Sequence, residues 1–264
     1  MLVVKVGGRH GNDAANVASG LAGLGPCIVV HGGSSAADEL SSRLGMAPTY
    51  LTSPSGFVSR RTDEAAVEVV AMAMAGGLNT GLVARLQSLG VPAVGLSGVD
   101  GRLLVGRRKE AIRSLVDGRV KVIRDDLSGV VVGVNTGLLR LLVGAGYVPV
   151  LSPPILDGEA GVPLNADADR IAAKVASAVQ AEALVLLTNV PGVLRVLEDP
   201  TTLLPRVSKE ALPALVPFAT GGMKKKLLAA QEALEGGVPR VVIADSRRED
   251  PVRSALRGEG TVIA

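Results

Sequence analysis

Short unbroken aliphatic runs alternate with amphipathic stretches along the whole chain. LVVKV (2–6), CIVVH (27–31), VPAVGLSG (91–98), YVPVLSPP (147–154), ALVLLTNV (183–190) and RVVIA (240–244) read as strands, most of them too continuous to have a wet face. The intervening stretches predict helices. One runs from a cap at Asn12 or Asp13 through Leu24, where Gly25-Pro26 ends it, and a second from Ser34 to Leu44. A third starts at Thr62-Asp63 and is interrupted at Gly76-Gly77, with a further helix reaching Leu89. Others are predicted near Val134–Gly144, over Ala166–Gln180, over 208–216 and over Gly222–Glu235. RLLVGRR (102–108) and RVKVIR (119–124) predict a paired β unit around a short helical insert, and TVIA closes the chain. Strands alternating with helices indicate an α/β protein with a mostly parallel sheet. A change of character near residue 181 suggests one compact unit with two lobes.

Composition narrows this picture. Of 264 residues 47% are hydrophobic and only 2% aromatic, so the core must be built from Val, Leu, Ile and Ala. The mean hydropathy of +0.38 excludes disorder. No stretch approaches the ~18 uninterrupted apolar residues of a membrane span, and no leader is evident. Cys27 is the only cysteine, which excludes an internal disulfide and suits a reducing cytoplasm. His10 and His31 are too few for a histidine-rich metal site.

Lys5 breaks the first aliphatic run, although desolvating an ammonium costs several kcal/mol without a partner. Gly7 and Gly8 follow it, and similar glycine turns end VVHGG and VGLSG. Such turns let backbone amides approach an anion, although any one alone is equally explained by strand-to-helix geometry. TGGMKKK (220–226) puts three lysines at a helix start, where the dipole disfavours cations. An anion nearby or a solvated basic turn would explain them. In LNADAD (164–169), Asn165 and Asp167 stand at a helix entry, where capping alone is a sufficient role. The P-loop pattern is absent, as is a dinucleotide fingerprint after the first strand, which disfavours a dehydrogenase.

Taken in order, VKVGG, VVHGG, SRRTD (59–63), LNAD, LLTNVPGV and GGMKKK resemble the amino-acid kinase family, in its acetylglutamate-kinase-like branch. The match extends from Lys5 to Asp245. The resemblance implies a three-layer α-β-α sandwich, as in carbamate kinase, that uses ATP with Mg2+ to turn a carboxylate into an acyl phosphate. The lobe at about 1–180 would bind the acyl substrate and that at about 181–264 the nucleotide. Lys5 and Lys226 would stabilise the transferred phosphoryl group, with Asp167 holding both ammonium groups. Gly32 and Gly33 would offer amides, Arg60 would clamp a substrate carboxylate, and Asn165 would hydrogen-bond the substrate. Gly7, Gly8, Thr188, Asn189, Gly192, Gly222, Met223 and Asp245 would lie beside the nucleotide. No protein-held metal and no general base is implied, since a carboxylate is already ionised at pH 7.

Two departures bear on the acceptor. Pro163 replaces the first asparagine usual in acetylglutamate kinases, and Asn189 stands where they carry aspartate. VSRRTD, LSGVDGRLLVGRRK and NVPG instead resemble the kinases of carrier-protein-dependent lysine biosynthesis. Those enzymes act on α-aminoadipate, or in some cases glutamate, attached to a small acidic carrier protein. Residues 102–124 carry eight basic against two acidic residues, an excess of six in a chain whose net charge is +3. Arg107, Arg108, Lys109, Arg113 and Lys121 are the expected docking residues for such a partner. The segment has no aromatic residue for base stacking, which argues against nucleic acid. The alternatives are free N-acetylglutamate as acceptor, or a non-catalytic sensor that kept the fold. The resemblance also implies a homodimer, and the lack of an N-terminal extension suggests one without arginine control.

Overall fold

β1 (Leu2–Val6) runs through the middle of the molecule, flanked on one side by β2 (Cys27–His31) and on the other by β12 (Ala183–Thr188), both parallel to it. A strand in that position has no solvent face, which is why its residues and those of β2 and β12 are almost uniformly aliphatic. The computed structural model describes every residue except Arg9, His10, Asp13 and Asp117. The Asp13 cap and His10 therefore lie outside the described residues.

Along the chain, β1 is followed by α1 (Ala14–Leu21), β2, α2 (Ser34–Arg43) and the hairpin β3 (Tyr50–Thr52)–β4 (Val58–Arg60). A long helical run comes next, made of α3 (Glu64–Val70), a π-helical segment (Ala71–Leu78) and α4 (Asn79–Ser88). After β5 (Ala93–Gly98) and β6 (Leu104–Arg108) comes the hairpin β7 (Ile112–Val116)–β8 (Arg119–Ile123). Then follow β9 (Gly129–Val134), α5 (Thr136–Gly144), β10 (Val148–Asp157), β11 (Pro163–Leu164), α6 (Ala168–Ala178) and β12. The chain ends with β13 (Arg206–Val207), α7 (Leu212–Leu215), α8 (Gly221–Glu235), β14 (Val241–Asp245), α9 (Pro251–Leu256) and β15 (Thr261–Ile263).

Among the described residues, eleven strands form one sheet, in the order β13-β15-β14-β12-β1-β2-β10-β6-β9, with β5 and β11 also paired to β10. Alternation along each strand sends its side chains to two cores. Val3, Ile28, Val30, Leu184 and Leu186 pack under α6 and α8, and Val4, Val6, Val29, Val185 and Leu187 under α1, α4 and α9. The result is the three-layer α/β sandwich with a mostly parallel sheet that the sequence resemblance implies.

Two local expectations are corrected. Gly76-Gly77 does not break the helix: the chain widens into π turns and continues as α4. This run, Glu64–Ser88, is long and apolar enough by composition to cross a membrane; here it packs against β10, β5 and α1. The second correction concerns 102–124. β6 pairs not with 119–124 but with β9, and the insert is itself a strand, β7, paired with β8. Ile112, Ser114 and Val116 alternate with Arg113 and Leu115, so the period of two outweighs the helix formers around them. The stretch 208–216 is a short 3₁₀ turn followed by the four residues of α7.

Candidate active site

The carboxyl ends of β1, β2 and β12 open onto a cleft of about 1140 Å³, where open α/β sheets generally take ligands. Its floor is backbone. A Cβ built on Gly8 would lie 2.2 Å from both the Gly32 carbonyl carbon and the Gly33 nitrogen, so the two glycine turns meet only because Gly8 lacks a side chain. Two helices start at this cleft without a side-chain cap: α2 after Gly33, and α8 after Thr220. Helix starts of this kind leave N–H groups that an anion can satisfy, although at α2 the Ser35 N–H is already taken by the Gly8 carbonyl at 3.2 Å.

Above this floor sit three buried charges. Lys5 shares the face of β1 that Val3 occupies, toward α6 and α8. Its Nζ lies 2.7 Å from Oδ1 of Asp169 on α6, and Lys226 Nζ on α8 lies 3.1 and 3.0 Å from the two Asp169 oxygens. Burial alone would raise the Asp169 carboxyl. Lys226 first and Lys5 second more than offset this and hold it well below the usual carboxylate range. The depressed value means that the ion pairs stabilise the fold at neutral pH and are lost only as pH falls through it in strong acid. Burial lowers Lys226 below its ordinary 10.5, partly opposed by Asp169 and reinforced by Lys5. The cluster carries one positive charge in excess beside a backbone floor where the Gly33 N–H has no hydrogen-bond acceptor among the described residues, an arrangement completed by an anion.

Asp169, not Asp167, is thus the carboxylate between the two lysines. Asp167 caps α6, accepting from the amides of Asp169 and Arg170 at 3.0 and 3.2 Å, and its other oxygen lies 3.5 Å from Lys225 at the cleft edge. The reason is helical phase. Asp169 lies inside the first turn with Ala172, Ala173 and Ala176 on the buried stripe, whereas Asp167 precedes the helix. The same periodicity separates the lysines of α8: Lys226 shares a buried stripe with Ala229, Ala230 and Ala233. Lys224 instead reaches the β3–β4 hairpin, with its Nζ 4.6 Å from the Phe57 ring centroid and donating to the Ser55 carbonyl at 2.9 Å.

Gly7, Gly8, Gly32, Gly33, Arg60, Asn165, Thr188, Asn189, Gly222 and Met223 all line the cleft. Arg60 is partly committed, donating to Asp38 at 2.6 Å and to the Ser34 carbonyl at 3.1 Å. Asn165 donates to Thr62 Oγ1 at 3.1 Å. Gly192 and Asp245 are not brought to the lining. Gly192 packs on Thr261 and Leu203, where a Cβ would come within 2.6 Å, and Asp245 at the end of β14 is occupied by Arg247.

The basic residues of 102–124 do not form one surface. Arg108 braces its own loop, donating to the carbonyls of Asp126 and Arg124. Lys109 is exposed at the edge of the cleft, where desolvation and then Arg170 lower its pKa against the pull of Asp126 and Asp167. Arg107 is exposed on β6. Register places Arg113, opposite Val122, on one face of the β7–β8 hairpin and Lys121, opposite Ser114, on the other. The Arg113 face also exposes Leu115, Val120 and Val122.

The profile of the amino acid kinase family matches residues 1–245. A "LysW-aminoadipate kinase" of Deinococcus radiodurans is 49% identical over all of this chain and 91% of its own length. A "LysW-aminoadipate/LysW-glutamate kinase" of Metallosphaera sedula is 40% identical over the whole of both chains. Among solved structures, N-acetylglutamate synthase of Neisseria gonorrhoeae, complexed with coenzyme A and N-acetyl-glutamate, superposes with a TM-score of 0.78 at 28% identity. All of this chain is covered, and it spans 59% of that one.

Proposed function

The chain belongs to the amino acid kinase family, whose members are phosphotransferases, and from that premise we propose that it phosphorylates the side-chain carboxylate of α-aminoadipate held on an acidic carrier protein. The observation that carries the chemistry is the buried Lys5–Asp169–Lys226 cluster over the Gly8, Gly32 and Gly33 backbone. ATP would supply the phosphoryl group. An acceptor carboxylate oxygen bonds to the γ-phosphorus as the bond to the β,γ-bridging oxygen breaks, and its electrons leave with ADP. No proton moves, so the site needs cations and amides rather than a base. Lys5 and Lys226 would neutralise charge on the phosphoryl oxygens, with Asp169 fixing both ammonium groups and offsetting their desolvation. Among the described residues no group of three His, Cys, Asp or Glu side chains could hold a metal. Mg2+ would come with the nucleotide, carried on its phosphates.

If Lys226 acts as an ammonium, kcat falls as it loses its proton, and its lowered pKa brings that loss in below the ordinary 10.5. A kcat profile from pH 7 upward is expected to show an alkaline limb there. Lys226→Arg, charged to above pH ~12, should remove the limb whatever its absolute rate.

The large cleft and the basic, partly apolar β7–β8 hairpin beside it support a macromolecular carrier. ATP turnover should be measured with free aminoadipate, N-acetylglutamate, and carrier protein bearing aminoadipate or glutamate. Turnover with carrier-bound aminoadipate and little with the free acids is expected, and turnover with free N-acetylglutamate alone would sink the carrier reading. Carrier-bound glutamate is the second acceptor to consider, because the Metallosphaera relative is named for both. Neutralising Arg107, Arg113 and Lys121 together should raise the carrier-substrate KM roughly tenfold and flatten its salt dependence, as loss of steering charges does. A homodimer is part of the same proposal, with Leu44 at the C-terminal end of α2 and Met72 and Leu78 on the π segment as exposed apolar side chains available to it.

A further inference from the structure

Phosphoryl transfer as described makes no use of two buried polar side chains, His31 at the end of β2 and Asn79 directly after the π segment. His31 projects to the face of the sheet opposite Lys5. Its Nδ1 is 3.0 Å from the Gly32 carbonyl oxygen. Its Nε2 is 3.1 Å from Asn79 Nδ2, which also donates to the Val150 carbonyl at 2.9 Å. A carbonyl only accepts, so Nδ1 carries the proton and Nε2 accepts from Asn79. Burial keeps the ring neutral, pushing its pKa down to about 4 against the hydrogen bond to Gly32, with Lys5 repulsion adding to the effect. Asn79 is fixed by shape as well as by bonding, since a Cβ on Gly95 would come within 1.9 Å of its Oδ1.

The Gly32 carbonyl belongs to the same peptide as the Gly33 N–H. That peptide is trans, so the N–H points opposite to the C=O. Pinning the carbonyl on His31 therefore directs the Gly33 amide away from the ring. Gly33 lines the cleft, and its N–H takes up no hydrogen bond among the described residues. Gly8, lacking a Cβ, lets its own backbone lie against this peptide.

We propose that His31 and Asn79 are positioning residues: together they lock the Gly32–Gly33 peptide so that the Gly33 amide is presented to the phosphoryl group in transfer. A peptide between two glycines otherwise flips readily, and a donor that must reorient during the reaction loses much of its value. The inference rests on the phosphoryl-transfer reading of the same cleft.

Two substitutions separate positioning from packing. Asn carries its Nδ2 near the place of the histidine Nδ1, so His31→Asn keeps the donor to Gly32. Gln carries its amide near the place of Nε2, so His31→Gln keeps a partner for Asn79 but loses that donor. Expected for acyl-phosphate formation is a kcat within about threefold of the parent for His31→Asn and roughly 30-fold lower for His31→Gln, with the KM for ATP within about threefold in both, since a lost preorganised donor acts on kcat. Equal kcat values for the two variants, or a loss confined to KM, would overturn the proposal. A measurement on the unmodified protein stands apart from how the variants fold. Histidine 15N shifts should report the Nδ1–H tautomer between pH 6 and 8, and the Gly33 amide resonance should move when a non-hydrolysable ATP analogue binds. An Nε2–H tautomer or an unmoved Gly33 resonance would refute it. Failure of the phosphoryl-transfer reading itself looks different: the unmodified enzyme would then form no acyl phosphate with any acceptor.

Discussion

Asp169→Asn is expected to lower kcat by more than about 100-fold and to cost about 3–5 kcal/mol of stability, because it leaves two buried ammonium groups facing each other with no carboxylate between them. Asp167→Ala removes a helix cap and one 3.5 Å contact to Lys225, and should cost about 1 kcal/mol with most of the turnover retained. Denaturant midpoints and kcat measured on both proteins decide the matter. If Asp167→Ala proved the more damaging, Asp169 would not be the organising carboxylate. Added ATP should recover part of the stability lost in Asp169→Asn, since bound phosphates supply the missing negative charge.

The second large effect distinguishes the three consecutive lysines. Lys226→Ala should reduce kcat by about 10²–10³-fold, the range for removing one preorganised group that meets charge in the transition state. Lys224→Ala should leave kcat within about threefold. What it loses is the contact from α8 to Phe57 and Ser55 across the cleft mouth, an exposed pairing worth about 0.5–1 kcal/mol, so the change belongs in KM. Steady-state kinetics of the two variants under saturating ATP provide the check. Similar kcat losses would mean that the buried stripe of α8 does not select the reacting lysine.

Much of this molecule is legible in its sequence. The aliphatic runs mark most central strands to within a residue or two, although β10 runs on to Asp157, three residues past the predicted end, and six short motifs in order carry the family and the three-layer fold. Lys5 and Lys226 stand out because a charge in a buried strand and a basic helix start both call for an anion. The choice between the two aspartates of LNADAD is in principle legible too. Only Asp169 continues into the stripe Ala172, Ala173, Ala176 that the helix buries, whereas the resemblance alone points to Asp167. The β7–β8 hairpin is obscured in a similar way: EAIRSLV contains helix formers, but its side chains alternate with a period of two.

Other features have no local signature. Arg60 looks like a free carboxylate clamp until Asp38, twenty-two positions away, is found bonded to it. Lys109 belongs to a basic segment in the sequence and to the cleft in the structure, because β6 and β9 carry it toward Arg170 and Asp167. His31 is an ordinary strand end until Asn79 and the Gly32 carbonyl are seen on its two nitrogens. The sequence by itself determined most of the helices and central strands, the parallel sheet and the charged residues destined for burial, because periodicity and desolvation cost act over a few neighbouring positions; the β7–β8 hairpin and the pairing of β6 with β9 came only with the structure. Which charge meets which was decided only by the tertiary structure, since helical phase and strand register bring together groups far apart in the chain, as with Lys5 and Asp169. VKVGG thus gives Lys5 a need for a partner, and the packing of α6 against β1 makes that partner Asp169.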